Sequence, residues 1–466
     1  MAITKNDQTE LLSRELDKAI EDLGFLSTDK IESEKGELPT SLRRRRRKGG
    51  AQDERVVTVT LTKDADGVLR WEDGVVPFSR PGRRMRRGPG AVSSGETVKQ
   101  LKFEKMRLNE IGQMLASLDQ KLTPNLGKLR RVTGLDSNAW ETVAQPAAVN
   151  ANQRILVFIH GTFSSNDHVV GTELTTSEDG KKLLTALVKG AKKPYDEVLA
   201  FDHPTLSVSP MLNALDLSRL FANTQAQVDV ICHSRGGLVT RWWLEVFERS
   251  AKPGNVVLVG SPLGGTSLAD PTRLRSGVEF LANIGNALGA LGLKFGGGNP
   301  FLVLSASLVK VISSFASLTA KTPLVDAAIA MIPGLAAQSR VANNFELSRL
   351  RTLHDRLPNY FAVKSNFQPE PVSVWKFWKA FVDQPAMRAA NTGVDFIFAR
   401  DEKDALEIEN DLVVNTRSMT DLFGAEDDRA RFKDVLDFGT NGSVHHVNYF
   451  QQPKTVEFIR KSLGIS

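Results

Sequence analysis

Two hydrophobic rhythms divide the chain. In "ERVVTVTLTKDADGVLRWED", Val56, Thr58, Thr60 and Thr62 alternate with Val57, Val59 and Leu61, and "DADG" supplies turn chemistry. That period of two predicts a β-hairpin. Residues 96–132 carry apolar positions at helical spacing up to Pro124, which predicts a helix. From Arg154 the pattern changes to short, unbroken apolar runs: "RILVFIHG", "DEVLAFDHP", "QVDVICHS", "GNVVLVGSP" and "PNYFAVKS", with "DVLDFG" as a sixth. Amphipathic stretches such as "SEDGKKLLTALVKGA", "MLNALDLSRLFANTQ" and "GGLVTRWWLEVFERSA" separate the early runs. Apolar strands alternating with helices predict an α/β fold with a mostly parallel central sheet covered on both faces. In such sheets function collects beyond the carboxyl ends of the strands. His160-Gly161, Asp202-His203, Ser234 and Ser261-Pro262 all fall there.

One segment breaks the alternation. Residues 268–358 are rich in Leu, Ala, Gly and Ser, carry few charges over 276–338, and are too long for a loop. They are expected to form an inserted helical cap, lining an apolar pocket or burying against the sheet. The expected organisation is a polar basic arm over 1–50, an accessory region over 51–150, and a main domain over 151–466 containing the cap.

Composition adds boundaries. The 466 residues are 41% hydrophobic, enough for a sizeable core, and contain one cysteine, which excludes an intrachain disulfide. The polar N-terminus lacks the apolar run of a secretory signal, and no run of about 18 apolar residues occurs. A cytoplasmic protein is therefore expected. The net charge of +6 is unevenly spread, with basic runs at Arg43–Lys48 and Arg80–Arg87. Such runs suit an anionic membrane surface, with nucleic acid as the other candidate partner, or are simply solvated. No phosphate-binding glycine loop or metal-ligand cluster is seen, so no cofactor and no metal are expected.

The candidate chemistry centres on "VDVICHSRGG". A serine on a sharp turn between strand and helix presents its hydroxyl at the sheet's edge, and small neighbours relieve the crowding. Gly236 and Gly237 follow Ser234, and Cys232 stands where such turns usually carry glycine. A serine hydroxyl needs a base, and the base an orienting acid. "NGSVHHVNYF" offers His445 or His446, only one of which can point inward. "EIENDLVVNTRSM" offers Asp411, with Glu409 and Asp404 as other acids. An oxyanion would be met by the backbone N–H of Arg235 and that of Thr162 or Phe163.

Together "ILVFIHGTFSS", "FDHPTLS", "ICHSRGGLVTR", "VVLVGSPLGGTSLAD" and "ENDLVVNTRSM…HHVNYF" resemble lipase-like α/β-hydrolases, in particular bacterial relatives of lecithin–cholesterol acyltransferase and GPI inositol-deacylase. The resemblance spans residues 150–466 and implies an α/β-hydrolase fold with an extra N-terminal region. It implies Ser234 as nucleophile, Asp411 as acid, His446 as base, and Thr162 and Arg235 as oxyanion donors. "GSPLGGT" resembles the loop bordering the family's site, so Phe163, His233, Pro262 and Leu263 are expected to contact substrate. The implied activity is cleavage of an acyl or lipid ester. The competing expectation is a non-catalytic hydrolase-fold protein that binds anionic membrane or nucleic acid through its basic region.

Overall fold

The structure is a computed structural model. It describes residues 13–14, 16–17, 56–63, 68–73, 96–104, 110–189, 193–248, 250–269, 278–279, 281–283, 285–286, 300–315, 332–340, 344–352, 357–367, 409–424 and 428–465. The two basic runs, Asp404 and much of the expected cap lie outside the described residues.

The chain forms two units, residues 1–111 with 278–328, and residues 112–277 with 329–466. The first unit draws two stretches of chain together by hydrogen bonds across the sequence. In the first unit β1 (Val56–Lys63) pairs antiparallel with β2 (Leu69–Asp73) and β3 (Glu96–Glu104). Asn283 brackets Leu69, its Oδ1 accepting from Leu69 N at 2.8 Å and its Nδ2 donating to Leu69 O at 2.9 Å. Trp71 Nε1 donates to Ser305 Oγ at 3.0 Å, and Ser305 lies on the helix Pro300–Phe315. β3 also corrects the predicted helix over 96–123. Leu101 and Phe103 are buried while Lys102 between them is exposed, a strand's alternation. The helix is confined to α1 (Ile111–Leu122).

The second unit is built on eight strands in the order β5-β4-β7-β6-β8-β9-β10-β11. They are β4 (Leu129–Arg131), β5 (Glu141–Val143), β6 (Arg154–Ile159), β7 (Glu197–Phe201), β8 (Gln227–His233), β9 (Lys252–Val259), β10 (Asn359–Phe367) and β11 (Phe432–Asn441). From β7 to β11 all neighbours are parallel, whereas β4 and β5 add an antiparallel edge. Alternate residues of each central strand enter opposite cores. Ile155, Val157 and Ile159 pack on one face with Ala214 and Leu217 of α3 (Pro210–Leu220). Leu156 and Phe158 pack on the other with Leu183, Leu184 and Leu187 of α2 (Glu178–Val188), beside Val456 and Ile459 of the C-terminal helix Pro453–Leu463.

Register decides where the chemistry sits. Ile159 pairs with Phe201 and with Cys232, and His233 pairs with Val259. The strands therefore end together, and His160, Asp202, Ser234 and Gly260 emerge along one edge. With a mostly parallel sheet, helices on both faces and a serine at the turn after β8, this is an α/β-hydrolase fold. Among the described residues no helix is long and apolar enough to cross a membrane.

Candidate active site

Ser234 follows β8 directly and adopts φ +52°, a left-handed conformation rare for a residue with a side chain. Its amide is held by Val259 O at 2.8 Å, and its carbonyl accepts from Gly237 N at 2.9 Å as α4 (Gly236–Arg241) begins. The turn closes only over glycine, because a Cβ at Gly236 would stand 2.5 Å from Ile159 O and 2.8 Å from His160 O. Cys232, in the place where glycine is usual, faces the core below the sheet. Burial pushes its thiol up to about 12, so it remains a neutral packing group.

One hydrogen-bonded line runs back from Ser234. His446 Nε2 lies 2.9 Å from Ser234 Oγ, and His446 Nδ1 lies 2.7 Å from Asp411 Oδ2. The carboxylate side requires the Nδ1–H tautomer, which leaves Nε2 as the acceptor facing the hydroxyl. Asp411 is fully buried, and its charge is met by four donors. Val413 N at 3.1 Å and Val414 N at 2.8 Å reach Oδ1, while Tyr449 OH at 3.0 Å joins His446 on Oδ2. His445 faces elsewhere. Its backbone N–H donates to Asn448 Oδ1, its ring meets Phe367 edge-on, and burial pulls its pKa down to about 4. Glu409 contributes its carbonyl to Thr416 N at 2.8 Å.

The turn after β6 is shaped by its histidine. His160 Nε2 accepts from His203 N at 3.0 Å, which leaves its Nδ1–H to donate to Gly161 O at 2.9 Å. Burial lowers the pKa of His160, keeping the ring in this neutral form. Because a trans peptide directs C=O and N–H oppositely, fixing Gly161 O away fixes Thr162 N–H the other way. Gly161 itself lies against the serine, and a Cβ there would stand 2.7 Å from Ser234 Cβ. Phe163 takes φ +56°, and its N–H is committed to Thr205 Oγ1 at 3.3 Å. Among the described residues neither Thr162 N nor Arg235 N donates to another group. Of the two alternatives for the second oxyanion donor, Thr162 is the one whose amide is unspent.

The Arg235 side chain is fully buried, with Nη2 donating to Val208 O at 2.6 Å. Burial lowers its pKa to about 10, opposed by Asp119 and Glu346. Two residues expected to contact substrate have other tasks. Leu263 is fully buried in the core. His233 is buried, and its Nε2 donates to His446 O at 2.9 Å, bracing the backbone of the histidine. Pro262 is buried in a turn whose carbonyl accepts from Gly265 N, and Phe163 is half-buried. Three participants were absent from the sequence expectations. Tyr449 supports Asp411, Asp119 anchors the loop after β7, and Gln338 reaches Thr162. Tyr449 stands in the motif already singled out, but its partner lies 38 positions away. Among the described residues no cluster of three or more His, Cys, Asp or Glu is arranged to hold a metal.

Comparison with known proteins adds the following. No curated protein matches the chain. The mature form of lipase BlEst2 from Bacillus licheniformis is 14% identical with a TM-score of 0.34, over 69% of this chain and 96% of that one. Lipase 1 from Pelosinus fermentans is 11% identical with a TM-score of 0.41, over 67% and 98%. Carboxylesterase CesB (YbfK) from Bacillus subtilis is 11% identical with a TM-score of 0.29, over 68% and 85%. A family described as "Domain of unknown function (DUF7379)" matches residues 127–464, which spans the sheet, the serine turn and the histidine loop, and the chain belongs to that family.

Proposed function

We propose that the protein is a serine hydrolase that cleaves carboxylic esters of an acyl chain, in the manner of a lipase or esterase. The observation that carries this reading is the unbroken line from Ser234 Oγ through His446 to Asp411, set on a strained turn beside two unspent amides. Ser234 Oγ attacks the ester carbonyl while His446 Nε2 takes its proton. The carbonyl oxygen becomes an oxyanion held by the N–H groups of Thr162 and Arg235. Collapse breaks the C–O bond, and His446 returns the proton to the departing alcohol. Water then attacks the acyl-enzyme with His446 again as base, releasing the acid and restoring Ser234. Asp411 orients His446 through Nδ1–H and stabilises the imidazolium.

An acyl chain is favoured over a polar acyl group by the low charge of residues 276–338. The motifs quoted above support the narrower likeness to relatives of lecithin–cholesterol acyltransferase and GPI inositol-deacylase. The test is labelling with a fluorophosphonate, followed by turnover of p-nitrophenyl esters of increasing chain length. The expected result is stoichiometric labelling and turnover in the wild type and neither in Ser234→Ala. Equal labelling of Ser234→Ala would place the reactive serine elsewhere and overturn the proposal.

A further inference from the structure

We infer that Gln338, in the segment inserted after β9, is a positioning residue for catalysis because it holds the Thr162 side chain and thereby aims the Thr162 amide. This rests on the proposed hydrolase reading and deepens it. Gln338 lies 176 positions from Thr162, yet its Oε1 accepts from Thr162 Oγ1 at 3.1 Å. It is almost fully buried. Both ends of its amide are assigned, because Nε2 donates to Gly334 O at 2.6 Å and so turns Oε1 toward the threonine. Its backbone is fixed as well, with Gln338 O accepting from Thr266 N at 2.7 Å.

These bonds belong to a ring that grips the oxyanion turn from two sides. On one side Phe163 N donates to Thr205 Oγ1. Thr205 is anchored by Asp119, which also accepts from Leu206 N and Ser207 N. On the other side Thr162 is held by Gln338, Gln338 by Gly334, and Gly334 N donates to Leu206 O at 3.0 Å. The ring therefore returns to the same 205–206 loop. Among the described residues of this ring, the Thr162 N–H is left unspent. An amide without a partner has nothing of its own to fix its direction. Its neighbours must do so, and a donor aimed in advance is what an oxyanion requires. Side-chain changes at Thr162, which acts through its backbone, would otherwise be harmless.

The experiment compares wild type with Gln338→Leu, Thr162→Val and Thr162→Ser, and with the Thr162→Val/Gln338→Leu double variant, on a soluble p-nitrophenyl ester. Expected is a fall in kcat of about 10- to 100-fold in Thr162→Val and Gln338→Leu. The ceiling is the ~10²–10³ seen when such a donor is lost outright. KM stays within about twofold, Thr162→Ser recovers most of kcat because it keeps the hydroxyl, and the double variant is no worse than the poorer single. Affinity for a boronic acid, which mimics the tetrahedral oxyanion, falls in step with kcat. Thr162→Val tests the same bond from its other end should Gln338→Leu fold poorly. Unchanged kcat in Thr162→Val, or fully additive losses in the double variant, would overturn the inference while leaving the hydrolase reading intact. A wild type that neither turns over ester nor labels with fluorophosphonate would overturn both.

Discussion

Acid should destabilise this protein, because the folded state refuses protons that the unfolded chain accepts. His160, His203, His233 and His445 are all buried, and burial is the leading cause that lowers the pKa of each below its ordinary value of 6.5, His445 to about 4. His160 is also needed neutral by its bonding, since its Nε2 accepts from His203 N and could not do so if protonated. The sign follows from linkage. Between pH 6.5 and the depressed native values the unfolded state binds more protons, so stability falls as pH falls. Each histidine contributes about 1.4 kcal/mol per pH unit once the unfolded chain is protonated. Going from pH 7.5 to 5.5, His445, held at about 4, removes about 1.4 kcal/mol, and His160, His203 and His233 add losses of the same sign, against a total stability of about 5–15 kcal/mol for a folded domain. His168 acts oppositely. It is largely buried, but the Glu173 carboxylate 3.0 Å away outweighs that burial and raises its pKa, so its contribution is present below 6.5 and fades only as pH rises through its native value.

Urea titrations followed by tryptophan fluorescence at pH 7.5, 6.5 and 5.5 measure this directly, since Trp243 is fully buried in the main core. The expected outcome is a midpoint that moves little between pH 7.5 and 7 and then drops steeply. His445→Gln, which removes one titrating ring away from Ser234, should reduce the loss by about 1.4 kcal/mol. A total loss below about 1.5 kcal/mol across those two pH units would refute the reasoning, since it would leave room for only one neutral buried histidine.

Two further outcomes follow from named contacts. Asp411→Asn should leave the fold in place but lower kcat about 10⁴-fold by presenting the wrong group to His446 Nδ1; a loss under tenfold in ester turnover would move the acid's role to another residue such as Glu409. Arg241→Leu should cost about 3–5 kcal/mol in a urea titration, because it leaves the buried Glu245 carboxylate, now paired through Arg241 Nε at 2.7 Å, with Tyr360 OH alone. An Arg241→Leu/Glu245→Leu pair should recover much of that loss.

The central sheet was legible because its strands are buried on both faces, and such strands show as unbroken apolar runs. β4 and β5 were not, since three residues each, "LRR" and "ETV", are too short and too polar to show a period. β3 was read as helix because "ETVKQLKFE" has apolar residues compatible with either spacing, and pairing with β1 decides the outcome. Within the site, the serine turn is a local device and is written in adjacent residues. Choosing between His445 and His446 needed a family resemblance, because neighbouring residues differ only in which way the backbone turns them. Gln338 and Asp119 left no trace at all. Their bonds span 176 and 86 positions, and a hydrogen bond between distant loops has no periodicity to announce it.

The first unit is assembled from two stretches of chain, and that has a consequence for biosynthesis. β1, β2 and β3 leave the ribosome early, but the partner of Trp71 on the helix Pro300–Phe315 follows about 200 residues later. At ~5–20 residues per second the wait is on the order of ten to forty seconds. During it, Val59, Leu61, Leu69 and Trp71, all buried in the finished protein, wait without that helix. The nascent N-terminal segment is thus exposed to wrong partners for an interval set by where the gene places the second stretch.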